Sequence, residues 1–234
     1  MKVSSVKMPL DFSVEKAHQL QLKLAKKIVR EDVLPKKIRL IAGVDVAYVE
    51  SFSVGAVAVL EFESLEVKES RTAVCRTRFP YIPTLLSFRE IPPVLSAIKK
   101  LKLKPHVFLV DGQGIMHPYR LGFASHLGLT IAKPTVGVAK SPLFGELQTF
   151  NKEGWAPITD KHEAIGAAVV TKKGSKPVYV STGNMVSLKT AIAIVKHCSL
   201  TSYLPEPIRQ AHIIATSEKS KITRLAKQVC EGDY

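Results

Sequence analysis

Asp45 stands in the middle of IAGVDVAY, an otherwise apolar and β-prone run, and no other feature limits the folding of this chain so tightly. An unpaired carboxylate in a buried strand is expensive, so the residue needs a cation beside it. Taken alone, it reads as half of an ion pair with a lysine or arginine. The pattern returns in HVFLVDG, an apolar run that ends in Asp111 and Gly112. Such a run reads as a buried strand that delivers its last side chain to a sheet edge. Glu90 follows Arg89 on a helical stretch between these two strands. A helix linking two strands normally makes them parallel, in a right-handed crossover. If the two strands are neighbours, Asp45 and Asp111 converge at one end of the sheet with Glu90 overhead. Three hard oxygen donors at one point suit Mg2+ or Mn2+ far better than zinc, which prefers nitrogen and sulfur.

The rest of the chain supplies a frame for these acids. From Ser13, Val14, Ala17, Leu20, Leu24, Ile28 and Val29 recur at helical spacing, with lysines on the other faces, predicting one amphipathic helix. IRLIAGVDVAY, VGAVAVLEF and LEVKESRTAVCRTR are three β-prone runs with short links, which predict an antiparallel meander. TLLSFRE has helical character and PPVLSAIKKL restarts it, so a kinked or two-piece helix is expected. Beyond HVFLVDG, GFASHLGLTIA and SLKTAIAIVKHC read as helices, and TVGVA, AIGAAVVT and PVYVST as strands. Residues 151–161 read as a polar loop. A PEP-containing break then precedes a last helix, SEKSKITRLAKQVC. The expectation is one α/β domain over residues 1–234, with a central mixed β-sheet flanked by helices.

Composition bears on partners. The 34 Lys and Arg against 20 Asp and Glu leave a net charge of +14, a positive field that concentrates polyanions, or simply a well-solvated surface. Cys75, Cys198 and Cys230 are odd in number and widely spaced, so neither a disulfide framework nor a thiolate zinc site is expected. With no apolar run of about 18 residues and no signal-peptide pattern, a soluble, cytoplasmic protein is expected, away from membranes. No long exposed apolar stripe is evident, so a monomer is expected.

Strand acid, helix acid, strand acid is the order found in ribonuclease H-like nucleases, and a divalent ion in such a site suits phosphodiester hydrolysis. Three longer blocks make the likeness specific: PYIPTLLSFRE from Pro80, VDGQGIMHPYRLGFASHLGL from Val110, and TVGVAKS from Thr135. In order and spacing they resemble the signature blocks of the endonuclease V family. With GVDVAY upstream and LPEPIRQAH downstream, the resemblance covers residues 40 to 215 or so. It implies a ribonuclease H-like fold and a DNA repair enzyme that recognises deoxyinosine, the product of adenine deamination. Such an enzyme hydrolyses the second phosphodiester bond 3′ to the lesion, leaving 3′-hydroxyl and 5′-phosphate ends. It implies Mg2+ as cofactor, with Mn2+ able to substitute, held by Asp45, Glu90 and Asp111. Lys140 falls on a lysine that meets the phosphate or orients the attacking water; without the family context it would be a surface lysine at a strand end. Pro80, Tyr81, Ile82 and Pro83 fall on a rigid apolar wedge that enters between base steps, where the bland reading is a buried hydrophobic turn. Leu86, Gly112 and His117 would line a pocket for the extruded base, with His117 free to bind the base, touch phosphate or cap a turn. His126 reads as a core histidine. His212 falls where part of the family has a histidine near the metal and is expected in metal binding or proton transfer. Thr84, where a glycine is usual, and Thr182 and Asn184, in place of a proline-glycine-histidine stretch, depart from the family pattern.

Partners are then DNA with deoxyinosine or another damaged base. Two other readings stay open: an endoribonuclease for inosine-containing RNA, and a non-catalytic nucleic-acid-binding protein on the same scaffold. A small-molecule phosphatase fits less well, because neither the charge nor the wedge helps with a compact substrate.

Overall fold

The computed structural model describes residues 12–200 and 202–231. The expected meander is present: β1 (Leu40–Val49) pairs antiparallel with β2 (Phe52–Glu61), and β2 with β3 (Val67–Arg76). The interior of β2, SVGAVAVL, is buried throughout, which explains its unbroken apolar run. At the sheet edge, β3 carries Lys68, Glu69, Arg71 and Arg76, as an edge strand exposed to water should. After α2 (Leu86–Ile98), β4 (Val107–Asp111) returns parallel to β1. Then α3 (Phe123–Ile131) leads to β5 (Thr135–Ala139), parallel to β4. The remaining strands are β6 (Glu146–Leu147), β7 (Trp155–Asp160), β8 (Glu163–Val169) and β9 (Val178–Asn184). All nine form one mixed sheet in the order β3-β2-β1-β4-β5-β9-β8-β7-β6.

Helices cover both faces. Val94 and Ala97 of α2 and Phe123, Ala124 and Leu127 of α3 pack on Ala42, Val44, Phe108 and Val110. On the opposite face α4 (Leu188–His197) and α5 (Glu206–Glu231) bring Ala191, Val195, Ile208 and Ala211 onto Ile41, Leu109 and Val136. This is the expected ribonuclease H-like arrangement, a mixed sheet between helical layers. Among the described residues no helix is long and apolar enough to cross a membrane. Residues 1–11, where a signal peptide was not expected, and the side chain of Cys230 lie outside the described residues. Cys75 and Cys198 are free thiols.

Four local expectations are corrected. Of the kinked or two-piece helix expected at α2, the two-piece form is corrected: Leu86–Ile98 is one helix, with Pro92 and Pro93 inside it. It lies so close to β2 that a Cβ on Gly55 would stand 2.3 Å from the Pro93 carbonyl carbon. Residues 151–161 contain β7, whose alternating burial shows the period-2 pattern of a half-buried strand despite Pro157. The last helix begins at Glu206, since Pro207 is tolerated in a first turn, and so takes in IRQAHII. The N-terminal helix α1 spans Val14–Ala25 and buries Ala17 and Gln21 while Val14 and Leu20 stay exposed. Beyond it, the Val29 amide donates to Asn184 Oδ1 (3.1 Å) and its carbonyl accepts from Met185 N (2.6 Å), bonds that end the helix by tying the chain to β9.

The close seat of α5 also depends on a missing side chain. A Cβ on Gly43 would lie 1.9 Å from the Pro207 carbonyl oxygen. We expect Gly43→Ala to lower the urea midpoint by an overpacking cost of roughly 1–3 kcal/mol or more. Gly174→Ala, where a Cβ meets nothing within 4 Å and only a φ of +79° opposes it, should cost clearly less.

Candidate functional site

The parallel register pairs Val44 with Val110, so Asp45 and Asp111 follow side by side on neighbouring strands. Side chains alternate across a strand. Ile41 and Leu109 point to the α5 face, and with them Asp45 and Asp111. Glu90 comes from α2 in the other layer, where the Tyr48 hydroxyl donates to its Oε1 at 3.1 Å. Arg89 lies over the Tyr48 ring, 4.3 Å from its centroid, and donates to the Phe79 carbonyl at 3.2 Å.

The electrostatics of the trio are strained. Burial pushes the Glu90 carboxyl up to about 8, and the charges of Asp45 and Asp111 push the same way against the Tyr48 hydrogen bond. Burial and Asp45 likewise raise Asp111, with Lys140 pulling it back. Lys140, just past the end of β5, places Nζ 3.1 Å from Asp111 Oδ2. Burial works against its charge, but Asp111 prevails and holds its pKa above the usual lysine value. On the open side, His212 of α5 sets Nδ1 2.8 Å from Asp45 Oδ2. Each carboxylate thus has one protein donor: Tyr48, Lys140 or His212. Among the described residues no three His, Cys, Asp or Glu side chains are already arranged around a common metal position. The donor chemistry nonetheless fits a hard divalent cation, since three carboxylates lie close enough to repel one another at a partly buried sheet end.

Beside Asp111 opens a cavity of about 300 Å3, its walls including Ile82, Leu86, Gly112, His117 and Phe123. PYIP forms its rim as an exposed tip rather than a buried turn, with Tyr81 63% exposed. Behind the tip, Phe79 stacks on Phe88 (5.7 Å between centroids), which meets His126 edge-on. His126 is the expected core histidine, with Nδ1 2.9 Å from Ser87 Oγ. Both ring nitrogens of His117 are engaged by main chain: Nε2 donates to the Thr84 carbonyl (3.0 Å) and Nδ1 accepts from Tyr119 N (3.2 Å). Of its three candidate roles, the ring is placed to brace a turn and wall the cavity.

Sequence reasoning missed the brace around Thr84. This β-branched residue sits at φ +71°, in the left-handed region that normally excludes it. Its hydroxyl meets His18 Nε2 at 2.8 Å, and its carbonyl accepts from Gln21 Nε2 at 2.8 Å as well as from His117. Gln21, fully buried, also donates to the Leu121 carbonyl at 3.1 Å, while His18 stacks on Tyr119. The one available signal was a polar glutamine on the buried stripe of α1. Gln113 was missed too: its Nε2 donates to the Ser141 carbonyl at 2.9 Å, and its Oε1 is buried with no partner among the described residues.

The comparisons with known proteins follow the same residues. The sequence pattern of the Endonuclease V family matches residues 22–213. The chain belongs to the endonuclease V family. An endonuclease V of Thermofilum pendens is 45% identical over 212 residues, 90% of this chain and 91% of its own length. One from Rippkaea orientalis is 46% identical over 220 residues, 92% and 95% of the two chains. The endonuclease V structure from Streptomyces avermitilis superposes with a TM-score of 0.84 at 34% identity, covering 93% of this chain and 99% of its own. That of Ciona intestinalis, in complex with a 24mer DNA containing an inosine followed by a ribo-adenosine, gives 0.79 at 31% identity, covering 89% and 98%.

Burial pushes the imidazoles of His117 and His126 down to about 4 from 6.5. The folded protein then binds fewer protons than the unfolded chain between these values. Their share of stability is complete above pH 6.5 and lost as pH falls through 4. The melting temperature should drop across that window, and His126→Gln should make the drop shallower. Gln21→Ala, which strips a buried donor from two carbonyls, should cost roughly 1–3 kcal/mol in urea unfolding.

Proposed function

We propose that the protein is a DNA repair endonuclease that recognises deoxyinosine and hydrolyses the second phosphodiester bond on its 3′ side, leaving 3′-hydroxyl and 5′-phosphate ends. The observation that carries this reading is the adjacency of three parts. An exposed, proline-stiffened apolar tip rims an apolar cavity, and Asp111 is common to that cavity and the acid cluster. Tyr81 is placed to fill the gap left by a nucleotide rotated out of the stack, and the cavity is of a size to receive one base. The DNA in the Ciona intestinalis complex, which contains an inosine, supports deoxyinosine as the base.

Asp45, Glu90 and Asp111 would hold Mg2+, with Mn2+ as a substitute. The ion would supply Lewis acidity and charge neutralisation at the phosphate. The protein groups around it have separate tasks. Tyr48 fixes the orientation of Glu90 through its hydrogen bond. Lys140 is placed to exchange its contact with Asp111 for one with a phosphate oxygen. His212 orients Asp45 and, being exposed, can pass a proton to solvent. The +14 charge favours the approach of the polyanion.

An end-labelled duplex with one deoxyinosine, incubated with Mg2+ or with chelator beside the matching inosine-containing RNA, tests the reading. Wild type should nick the DNA one bond beyond the lesion only when metal is present, and Asp111→Ala should be slower by about a hundredfold or more. Tight binding with no cleavage of either strand would leave a binding protein instead, and cleavage of the RNA alone would make it a ribonuclease. Tyr81→Ala should lower kcat/KM roughly tenfold or more, since unstacking a base step takes a few kcal/mol. An unchanged kcat/KM would remove the wedge from the mechanism.

A further inference from the structure

A second cavity, of about 390 Å3, opens beside the end of β5, walled by Lys140, Ser175, Lys176, Pro177 and Tyr203. Its relation to the base cavity follows from strand alternation. Ala139 and Ser141 line the base cavity, whereas Lys140, between them, lines this one. The base cavity is built from α2 and α3, in one helical layer, while Tyr203 lies just before α5, which packs on the opposite face. A strand with its base in the first cavity and its phosphate at Asp111 and Lys140 therefore crosses the end of the sheet and emerges into the second.

We propose that this cavity binds the nucleotide immediately 3′ to the cut bond, the one that becomes the 5′-phosphorylated end of the product, with its base against Tyr203 and its following phosphate on Lys176. The inference rests on the cleavage reading above and assigns a further part of that site. Tyr203 is 37% exposed, and its phenol lies within electrostatic reach of the Lys140 ammonium. The walls are tied together, for the Thr171 hydroxyl donates to the Tyr203 carbonyl at 2.7 Å. Between β8 and β9 the loop turns tightly at Gly174 (φ +79°), and the Ser175 amide and hydroxyl both donate to the Lys172 carbonyl. That turn groups Lys172, Lys173 and Lys176, none of which has an ion-pair partner among the described residues. An aromatic ring beside unpaired lysines is the means by which proteins hold single nucleotides without reading their sequence.

The test compares two deoxyinosine duplexes, one intact and one with an abasic analogue at the nucleotide just beyond the cut. Wild type should cut the intact duplex with kcat/KM about tenfold higher than the abasic one. Tyr203→Ala should lose that factor on the intact duplex and nothing further on the abasic one, while Tyr203→Phe keeps it. Lys176→Ala, on an exposed loop, should reduce the slope of log affinity against log salt by about one. Wild type that cuts both duplexes equally, or a Tyr203→Ala loss of the same size on both, overturns the downstream site alone. An unchanged salt slope in Lys176→Ala overturns its phosphate contact. Wild type that cuts neither duplex overturns the cleavage reading and this inference with it.

Discussion

Mutual repulsion among three carboxylates is the constraint around which this structure is arranged. The register of β1 on β4 places Asp45 and Asp111 side by side, and α2 adds Glu90 at the same strand ends. Low-dielectric surroundings make like charges there costly and raise the affinity for any cation that joins them. The fold answers with one donor from each direction: Tyr48 from within the sheet, Lys140 from the next strand end, His212 from the far helix. Close helix-to-sheet approaches over Gly43 and Gly55 seat the helices that carry His212 and Glu90.

The sheet end also separates two cavities of different character. On the α2 and α3 side the walls are mostly apolar around a volume of about 300 Å3. On the α5 side they carry Lys140 and Lys176. The two cavities thus lie on opposite faces of the sheet, with Asp111 and Lys140 at the strand ends between them.

The strand acids were legible in the sequence because burying a carboxylate in an apolar run has few explanations, and two such strands with a helix between them have one common topology. The meander and the crossover were legible for the same reason. Pro157 and Pro207 misled because proline reads as a break, yet it fits a strand position whose amide is not needed and a helix's first turn. The brace on Thr84 was hidden for a different reason. It is made by contacts between residues 63 to 100 positions apart in the chain, from Gln21 to Thr84 and Leu121, and no local pattern encodes them. Lys140 and His212 could be placed by resemblance, but their hydrogen bonds to Asp111 and Asp45 required coordinates.

That long-range brace has a bearing on how the molecule comes to maturity. The rim of the cavity beside Asp111 is held in a backbone conformation that threonine resists, by hydrogen bonds from His18 and Gln21 of α1 and from His117. Closing loops of this length is entropically unfavourable until many other contacts exist to offset it. The rim is therefore completed with the global fold rather than by its own short segment, and a chain caught half-assembled lacks this wall of the cavity.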